Sequence, residues 1–160
     1  ALQQRDDFTY VSFNKLLKTA DIISLHAPLT KTNKHLIDKK AIKKMKPGIF
    51  IINTARGGLI NSADLVWGLN QNIVAGAALD VLEEENLLED PCLLAENNCT
   101  PENTKVTLMN NLLIDHPGTI VTAHNAFNTV EAIERIIDTS AQNVKEFIQG
   151  SCTHDVTRRI

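Results

Sequence analysis

Four apolar runs, each separated from the next by a segment of helical character, constrain the fold of this chain more than any other feature of its sequence. Both alternating faces of each run are apolar, which is typical of strands that helices cover on each side of a sheet. Such alternation predicts a doubly wound α/β domain with a parallel sheet and right-handed crossovers. The runs are DIISLHA (21–27), GIFIINTA (48–55), IVAGAALDV (73–81) and GTIVTAH (118–124), and a shorter run, FTYVS (8–12), is predicted as a further strand.

Short polar residues at the starts of the intervening segments predict where helices begin. Ser12, Asp38 and Ser62 are each expected to cap a helix, because their side-chain oxygens can accept hydrogen bonds from the free N–H groups of the first turn. Each candidate cap is followed by apolar residues at helical spacing. The repeating unit of the chain is therefore predicted to be a strand followed by a helix.

The longest helix is predicted near the end of the chain, where apolar residues recur at helical spacing. Asn128 and Glu131 have the spacing of a capping box, so this helix is expected to run from about 129 to 149. Residues 86–117 interrupt the alternation of strands and helices. They are interpreted as an inserted loop with one helix near 106–114.

The composition of the 160 residues limits the classes of protein to which the chain belongs. Hydrophobic residues make up 43%, which is enough to bury a core and argues against a disordered chain. The formal net charge of -3 argues against general binding to nucleic-acid phosphates. No apolar run approaches the roughly 20 residues of a membrane span, and the stretch ALQQRDDFTY lacks the features of a signal peptide. A cytoplasmic protein is therefore expected.

The cysteines favour reduced thiols over a disulfide framework, because Cys92, Cys99 and Cys152 are odd in number and lie outside the apolar runs. A zinc site around Cys92, Cys99 and His116 would lack both a CxxC pair and an obvious fourth ligand. No metal site is therefore expected.

The residues just past each apolar run carry most of the chemically reactive side chains. Ligands of doubly wound domains bind outside the carboxyl ends of the strands, so these positions are the first candidates for a site. An arginine, an acidic run and a histidine are expected to meet at one edge of the sheet. They are Arg56 after the second run, Glu83, Glu84 and Glu85 after the third, and His124 after the fourth.

These residue types suit the reduction of a ketone that carries a carboxylate. An arginine binds a carboxylate with a planar fork of donors and stabilises negative charge developing on a nearby oxygen. A carboxylate beside a histidine favours the protonated ring, which then serves as an acid. The two glycines after Arg56 are interpreted as letting the backbone turn tightly and as clearing space for a ligand.

Interpretations without a catalytic role also stay open for these residues. Arg56 can be a surface residue at a strand end, and His124 a structural histidine that is satisfied by a hydrogen bond. Glu83 and Glu84 are interpreted as solvated loop charges. His35 is given no role in the site.

Four stretches, in the same order, resemble motifs of the D-isomer-specific 2-hydroxyacid dehydrogenases. The resemblance runs from about residue 8 to 150, and the AFNT that follows the histidine is most similar to the branch of D-lactate and D-2-hydroxyisocaproate dehydrogenases. It implies a Rossmann-type NAD-binding domain and the reversible reduction of a small 2-keto acid by NADH, in an enzyme that is commonly a homodimer. The stretches are DIISLHAPLTKTNKHLI, MKPGIFIINTARGGLI, VAGAALDVLEEE and VTAHNAFNT.

The resemblance also implies roles for single residues. Arg56 would bind the substrate carboxylate and polarise the keto group, and His124, paired with Glu85, would donate the proton in reduction and accept it in oxidation. Asp80 would hold the nicotinamide carboxamide. The other cofactor positions would be Ala27, Pro28 and Asn33 along the cleft, with the backbone of Thr54 and Ala55 near the nicotinamide.

The sequence departs from the pattern of the family in two places. Ala123 stands where the family usually has a proline before the histidine, which removes no functional group. The GxGxxG turn and the acidic residue that meet pyrophosphate and ribose do not occur in the sequence. Residues 1–149 are therefore interpreted as the C-terminal portion of an NAD-binding domain and residues 150–160 as a tail leading to a substrate domain. Weak stability and no useful activity are expected of this portion by itself.

Two rival hypotheses also stay open. One is a nucleotide-sensing or protein-binding module that kept the fold and lost turnover, and the other is a decayed fragment. The presence of Arg56, Glu85 and His124 together argues against the first, because a module that only binds does not need an acid and its partner.

Overall fold

The computed structural model of the chain describes residues 8–89, 100–151 and 153. Its four strands form one parallel sheet in the order β1-β2-β3-β4, so that strands consecutive in the chain are neighbours in the sheet. The chain divides into two compact units, Ala1–His124 and Asn125–Ile160. The strands are β1 (Ile22–Leu25), β2 (Ile49–Asn53), β3 (Val74–Leu79) and β4 (Thr119–Val121).

Helices precede the first strand, follow the last and occupy the connections between the strands. Among these described helices, none is both long enough and apolar enough to cross a membrane. A short 3-10 turn spans Gly57–Leu59. The helices are α1 (Phe13–Thr19), α2 (Lys39–Ile42), α3 (Ser62–Asn70), α4 (Asn86–Glu89), α5 (Pro101–Asp115) and α6 (Val130–Ile148).

The parallel α/β domain that the sequence predicts is confirmed, and so are its four main strands. Each of the strands β1 to β4 lies inside one of the four apolar runs. The strand predicted at 8–12 is wrong, because these residues form no strand. Ser12 instead accepts a hydrogen bond from Lys15 N and caps α1, and the ring of Phe8 packs edge-on against Tyr10 with centroids 5.3 Å apart.

Two of the three predicted helix caps of the first unit are confirmed. Ser12 caps α1 and Asp38 caps α2, each with its side-chain oxygen. The cap of α3 is Asn61 and not Ser62, because the Asn61 side chain accepts from Asp64 N at 3.0 Å. The hydroxyl of Ser62 is buried and donates to another helix instead.

The later helices also differ from the prediction in their ends. The cap of α6 is Thr129, whose hydroxyl accepts from Ala132 N at 3.2 Å, so the helix begins one residue after the expected position. The inserted segment contains more helix than expected, because Pro101 at the first position and Thr100 as the cap start α5 well before residue 106. Residues 90–99 lie outside the described residues, and so do Cys92, Cys99, Cys152 and most of the predicted tail.

The hydrophobic core of the first unit lies on one face of the sheet. Ile49 and Ile51 of β2 are completely buried there. Helices α2, α3 and α5 cover this face, and Leu65 and Leu113 are the most deeply buried leucines of α3 and α5, at 0% and 1% exposure. Burial of such side chains stabilises the fold by about 1.5–3 kcal/mol each, so this layer holds the sheet in place.

The opposite face of the sheet carries apolar side chains that are exposed. Ile22, Phe50 and Ile120 are 60%, 50% and 68% exposed. Gly76 is buried on this face because Phe50 lies over it, and a Cβ at position 76 would come within 3.1 Å of the phenyl ring. The two faces of the sheet are therefore unequal in burial.

Candidate active site

The loops at the carboxyl ends of β2, β3 and β4 leave the sheet at the same edge. Asp80 N donates to Asn53 O at 2.9 Å, and Thr122 N donates to the last residue of β3 at 2.9 Å. Each loop therefore starts in hydrogen-bonded register with the strand beside it. This register places the ends of β3 and β4 side by side, with Glu85 and His124 a few residues beyond them.

Glu85 and His124 are hydrogen-bonded to each other at this edge. The Nδ1 of His124 lies 2.7 Å from Glu85 Oε1, and the second oxygen of Glu85 accepts from Leu82 N at 3.2 Å. Because Nδ1 faces a carboxylate, it carries the hydrogen and donates it. The other ring nitrogen, Nε2, has no hydrogen-bond partner among the residues that the structure describes, so it is the atom available to a ligand.

The backbone at His124 has a left-handed conformation. Its φ is 50°, in the left-handed region that non-glycine residues adopt at a cost of roughly 1–2 kcal/mol, and its N–H donates to Thr122 O at 3.0 Å. Glu84 has a φ of 48° and lies directly before Glu85. A left-handed residue therefore lies directly before Glu85, and His124 is itself left-handed.

Asp80 is buried at the end of β3 and joins the same edge. Its Oδ1 accepts from Thr122 Oγ1 at 2.5 Å, and the residue is 5% exposed. Asp80 and Thr122 therefore connect the loop after β3 to the loop after β4, close to the Glu85–His124 pair.

A cleft of about 310 Å³ lies beside the pair. Its lining has an apolar part and a polar part, which is the usual composition of small-molecule sites. The apolar part comes from Leu82, Ile114, Val121 and Ala123, and the polar part from Asp80, Glu85, Thr122 and His124.

Arg56 follows β2 at this edge, but it contacts neither member of the pair. Its Nη1 donates to Ala55 O at 2.6 Å, and the residue is exposed. Within the described residues, no hydrogen bond or ion pair joins it to Glu85 or His124. The buried Asn53 holds the loop, because its amide donates to Arg56 O at 3.0 Å and accepts from Ala55 N at 3.1 Å. The backbone of Arg56 is therefore fixed and its side chain is free to turn.

The two glycines after Arg56 have a different purpose from the one that the sequence suggests. A Cβ on Gly57 would lie 1.9 Å from Leu82 O, so this glycine lets the Arg56 loop pack directly on the backbone of the next loop. A Cβ on Gly58 would lie 2.9 Å from the Leu29 side chain. The interpretation that both glycines clear space for a ligand is wrong for Gly57, since protein backbone fills that space.

The remaining positions implied by the resemblance lie in the loops after β1 and β2. Asn33 closes the first of these loops, because its Nδ2 donates to Pro28 O and its Oδ1 accepts from Thr30 N, both at 2.7 Å. Ala27 and Ala55 are half-buried, and Pro28 and Thr54 are exposed. The lining of the cleft includes none of these residues, so their contact with a cofactor stays a prediction.

Glu83 differs from its predicted position, and it pairs with His35. Glu83 is 5% exposed, and its carboxylate contacts His35 and accepts a hydrogen bond from Ser62 N. The interpretation of Glu83 as a solvated charge is therefore wrong. Nothing in the run of three glutamates distinguishes the buried one, because its partners lie 21 and 48 residues away in the chain.

The chain is similar to known proteins over most of its length. Residues 2–126 match the family described as D-isomer specific 2-hydroxyacid dehydrogenase, NAD binding domain. The chain is 42% identical over 144 residues to the aromatic 2-oxoacid reductase of Clostridium sporogenes. The aligned region covers 89% of this chain and 41% of the relative.

Solved structures of dehydrogenases are also similar to this chain. The crystal structure of a D-lactate dehydrogenase from Treponema pallidum matches with a TM-score of 0.76 and 40% identity, over 91% of this chain and 42% of the other. The structure of a D-2-hydroxyisocaproate dehydrogenase matches with a TM-score of 0.82 and 32% identity, over 96% and 45%. The chain thus spans less than half the length of these relatives.

Proposed function

The chain belongs to the D-isomer-specific 2-hydroxyacid dehydrogenase family, whose NAD-binding domain it matches, and from this membership we propose that the protein reduces a small 2-keto acid to the D-2-hydroxy acid with NADH, reversibly. One observation carries the proposal. His124 pairs with Glu85 beside a cleft, at the carboxyl edge of a parallel sheet, where ligands of such folds bind. The pair is the acid that the reduction of a ketone requires.

His124 is the proposed proton donor, and its Nε2 is the atom that acts. With Nδ1 held by Glu85, the protonated ring directs its second N–H away from the carboxylate. During reduction Nε2 would donate this proton to the keto oxygen, and during oxidation it would take the proton back. Glu85 fixes the orientation of the ring.

Arg56 is the proposed substrate-binding residue. Its guanidinium has a planar fork of donors that matches a carboxylate, and it also stabilises the charge that develops on the keto oxygen. Its exposure and fixed backbone support this role, because the side chain can leave Ala55 O when a carboxylate is offered.

The cleft fits the nicotinamide part of NAD. A flat ring with an amide substituent needs an apolar wall and a nearby polar group, and the lining offers Leu82, Ile114 and Val121 together with Asp80. When bound, the cofactor supplies or accepts the hydride. Asp80 would hold the carboxamide. Ala27, Pro28 and Asn33 would line the cofactor cleft, with the backbone of Thr54 and Ala55 near the nicotinamide. The GxGxxG turn that binds pyrophosphate does not occur in the sequence.

The choice of substrate, the partners and the compartment are parts of the same proposal. The relatives are named for lactate, 2-hydroxyisocaproate and aromatic 2-oxoacids, so a small 2-keto acid is the shared class. A homodimer and a cytoplasmic location stay predictions.

The proposal is tested by the rate of NADH oxidation with pyruvate and phenylpyruvate, using the complete protein that contains this chain. We expect His124→Ala to lower kcat by a factor of about 10² to 10⁴, the range for the loss of a general acid. Arg56→Ala is expected to lower kcat/KM with both substrates, because the carboxylate that it binds is common to them.

His116→Ala is the matched control for the histidine variant. His116 follows α5 and its ring accepts from Gly118 N at 2.9 Å, outside the lining of the cleft. If His124→Ala and His116→Ala both turn over at the rate of the unmodified protein, His124 is not the proton donor. Absence of NADH oxidation in the unmodified protein would instead favour a module that only binds nucleotide.

A further inference from the structure

A second histidine–carboxylate pair, His35 and Glu83, lies outside the lining of the cleft. The Glu83 side chain is 6% exposed, and both of its oxygens have partners: Oε1 contacts His35 Nε2, and Oε2 accepts from Ser62 N at 3.1 Å. The backbone oxygen of Glu83 accepts from Asn110 Nδ2 at 2.7 Å. One residue thus ties the loop after β3 to three other segments of the chain.

The direction of the hydrogen bond between His35 and Glu83 follows from Asn61. Because Asn61 Oδ1 accepts from Asp64 N as the cap of α3, its Nδ2 faces His35 Nδ1 at 3.4 Å. An amide nitrogen only donates, so Nδ1 is the acceptor and the ring proton is assigned to Nε2, which donates to Glu83. Each carboxylate oxygen of Glu83 therefore accepts one hydrogen bond, and glutamine in its place would present an oxygen to only one of the two donors.

This network is connected to the loops that carry Arg56 and Glu85. His35 N donates to Gly58 O at 2.8 Å, two residues after Arg56, and Gly57 packs directly on Leu82 O. On the other side, the left-handed Glu84 separates the inward Glu83 from the outward Glu85, whose Oε2 accepts from Leu82 N. Both loops therefore contact segments that His35 and Glu83 join.

We propose that His35 and Glu83 are positioning residues, which hold the Arg56 loop against the loop of Glu85 so that Glu85 faces His124. The catalytic meaning of this inference rests on the proposed function, whereas the coupling of the loops does not. A purely local role for Glu83 would stabilise only the start of α3, through Ser62 N. A positioning role requires that its loss also loosens Leu82 N and His35 N.

Amide hydrogen exchange in the complete protein separates these two roles. We expect Glu83→Gln to speed exchange at Ser62, Leu82 and His35 by about tenfold or more, the change for loss of a hydrogen bond to a charged group. Glu84→Gln is the matched control, because its side chain is 48% exposed and its ion pair with Lys34 is 3.9 Å long. Unchanged exchange at Leu82 and His35 in Glu83→Gln overturns the proposal.

Substitutions of His35 keep the test decisive if Glu83→Gln does not fold. His35→Gln retains an N–H donor toward Glu83, and His35→Leu fills similar space without one. Exchange at Ser62 and Leu82 is expected to be faster in His35→Leu by about tenfold and largely restored in His35→Gln. Equal exchange in the two variants overturns the proposal, because the hydrogen bond would then not matter.

Turnover in the complete protein tests whether the coupling of the loops affects catalysis. Glu83→Gln is expected to lower kcat by about 10-fold to 100-fold, as misplaced groups do, with a smaller change in KM. In the Glu85→Gln background the same substitution is expected to lower kcat by less than about twofold. If Glu83 acts by positioning Glu85, its effect is already lost when the Glu85 carboxylate is removed. If the double variant lowers kcat by the product of the two single effects, the positioning role is overturned. An unmodified protein with no turnover contradicts the proposed function instead, and leaves the exchange results to decide the coupling.

Discussion

Single residues in this chain decide how closely its loops approach each other. Gly57 is the clearest case, because the next loop lies where its Cβ would be. The sequence indicated a tight backbone at this glycine but not its neighbour, since Leu82 is 25 residues further along the chain. A local pattern identifies a residue that permits close contact, and only the fold identifies what makes the contact.

We expect Gly57→Ala to destabilise the chain by about 1–3 kcal/mol, the cost of forcing extra volume into a packed site. The new Cβ would lie 1.9 Å from Leu82 O, and backbone cannot move aside as a side chain does. Gly58→Ala is the matched control, because its Cβ meets only the flexible Leu29 side chain, which is 43% exposed. Urea unfolding midpoints of the two variants provide the measurement. Equal midpoints would mean that the two loops are not in backbone contact.

The strands and helices were largely predictable from the sequence, because each leaves a local signature. Alternating apolar runs identified β1 to β4, and short polar residues identified the caps of α1 and α2. The start of α3 was misplaced by one residue because both Asn61 and Ser62 are good caps. Tertiary contacts decide between them: Ser62 is buried and donates to Asn110, which leaves Asn61 at the cap.

Substitutions of Asn61 test its two functions separately. Asn61→Ala is expected to cost about 1–2 kcal/mol, because α3 loses its cap and His35 loses an amide partner. Asn61→Asp keeps the capping oxygen and removes the amide donor, so most of the stability should return. Thermal unfolding followed by circular dichroism measures both. The assignment of Asn61 as the cap would be contradicted if the aspartate variant were as unstable as the alanine variant.

At the scale of the whole molecule, the sheet of the first unit has a buried face and an exposed face. The sequence predicted apolar residues on both faces and therefore helices on both sides, and the described residues cover one side fully. The pairing of Glu85 with His124 was also expected, from the order of the strands and the family resemblance together. The buried Glu83 was not expected, since a charged residue in a loop is exposed more often than buried.

The two faces of the sheet are expected to respond differently to the same substitution. Ile51→Ala should cost about 2–5 kcal/mol, because it opens a cavity in a core where the side chain is completely buried. Ile120→Ala should change stability by less than about 0.5 kcal/mol, because its side chain is 68% exposed. Urea denaturation of both variants checks the difference. Equal costs would mean that another layer covers the second face in solution.

The left-handed residues of the described chain have a consequence for anyone who would engineer this protein to be more robust. His35, Asn72, Glu84 and His124 are the non-glycine residues with positive φ, and glycine is the standard replacement for relaxing such backbone. At Asn72, in the turn before β3, glycine removes no group that the site uses. At His35 and His124 it would delete the imidazoles that the loops and the proposed reaction depend on. At His35 and His124, a substitution that relaxes the backbone would also remove a group that the proposed function needs. Substitutions that raise thermal stability are therefore best sought at Asn72 and in the core.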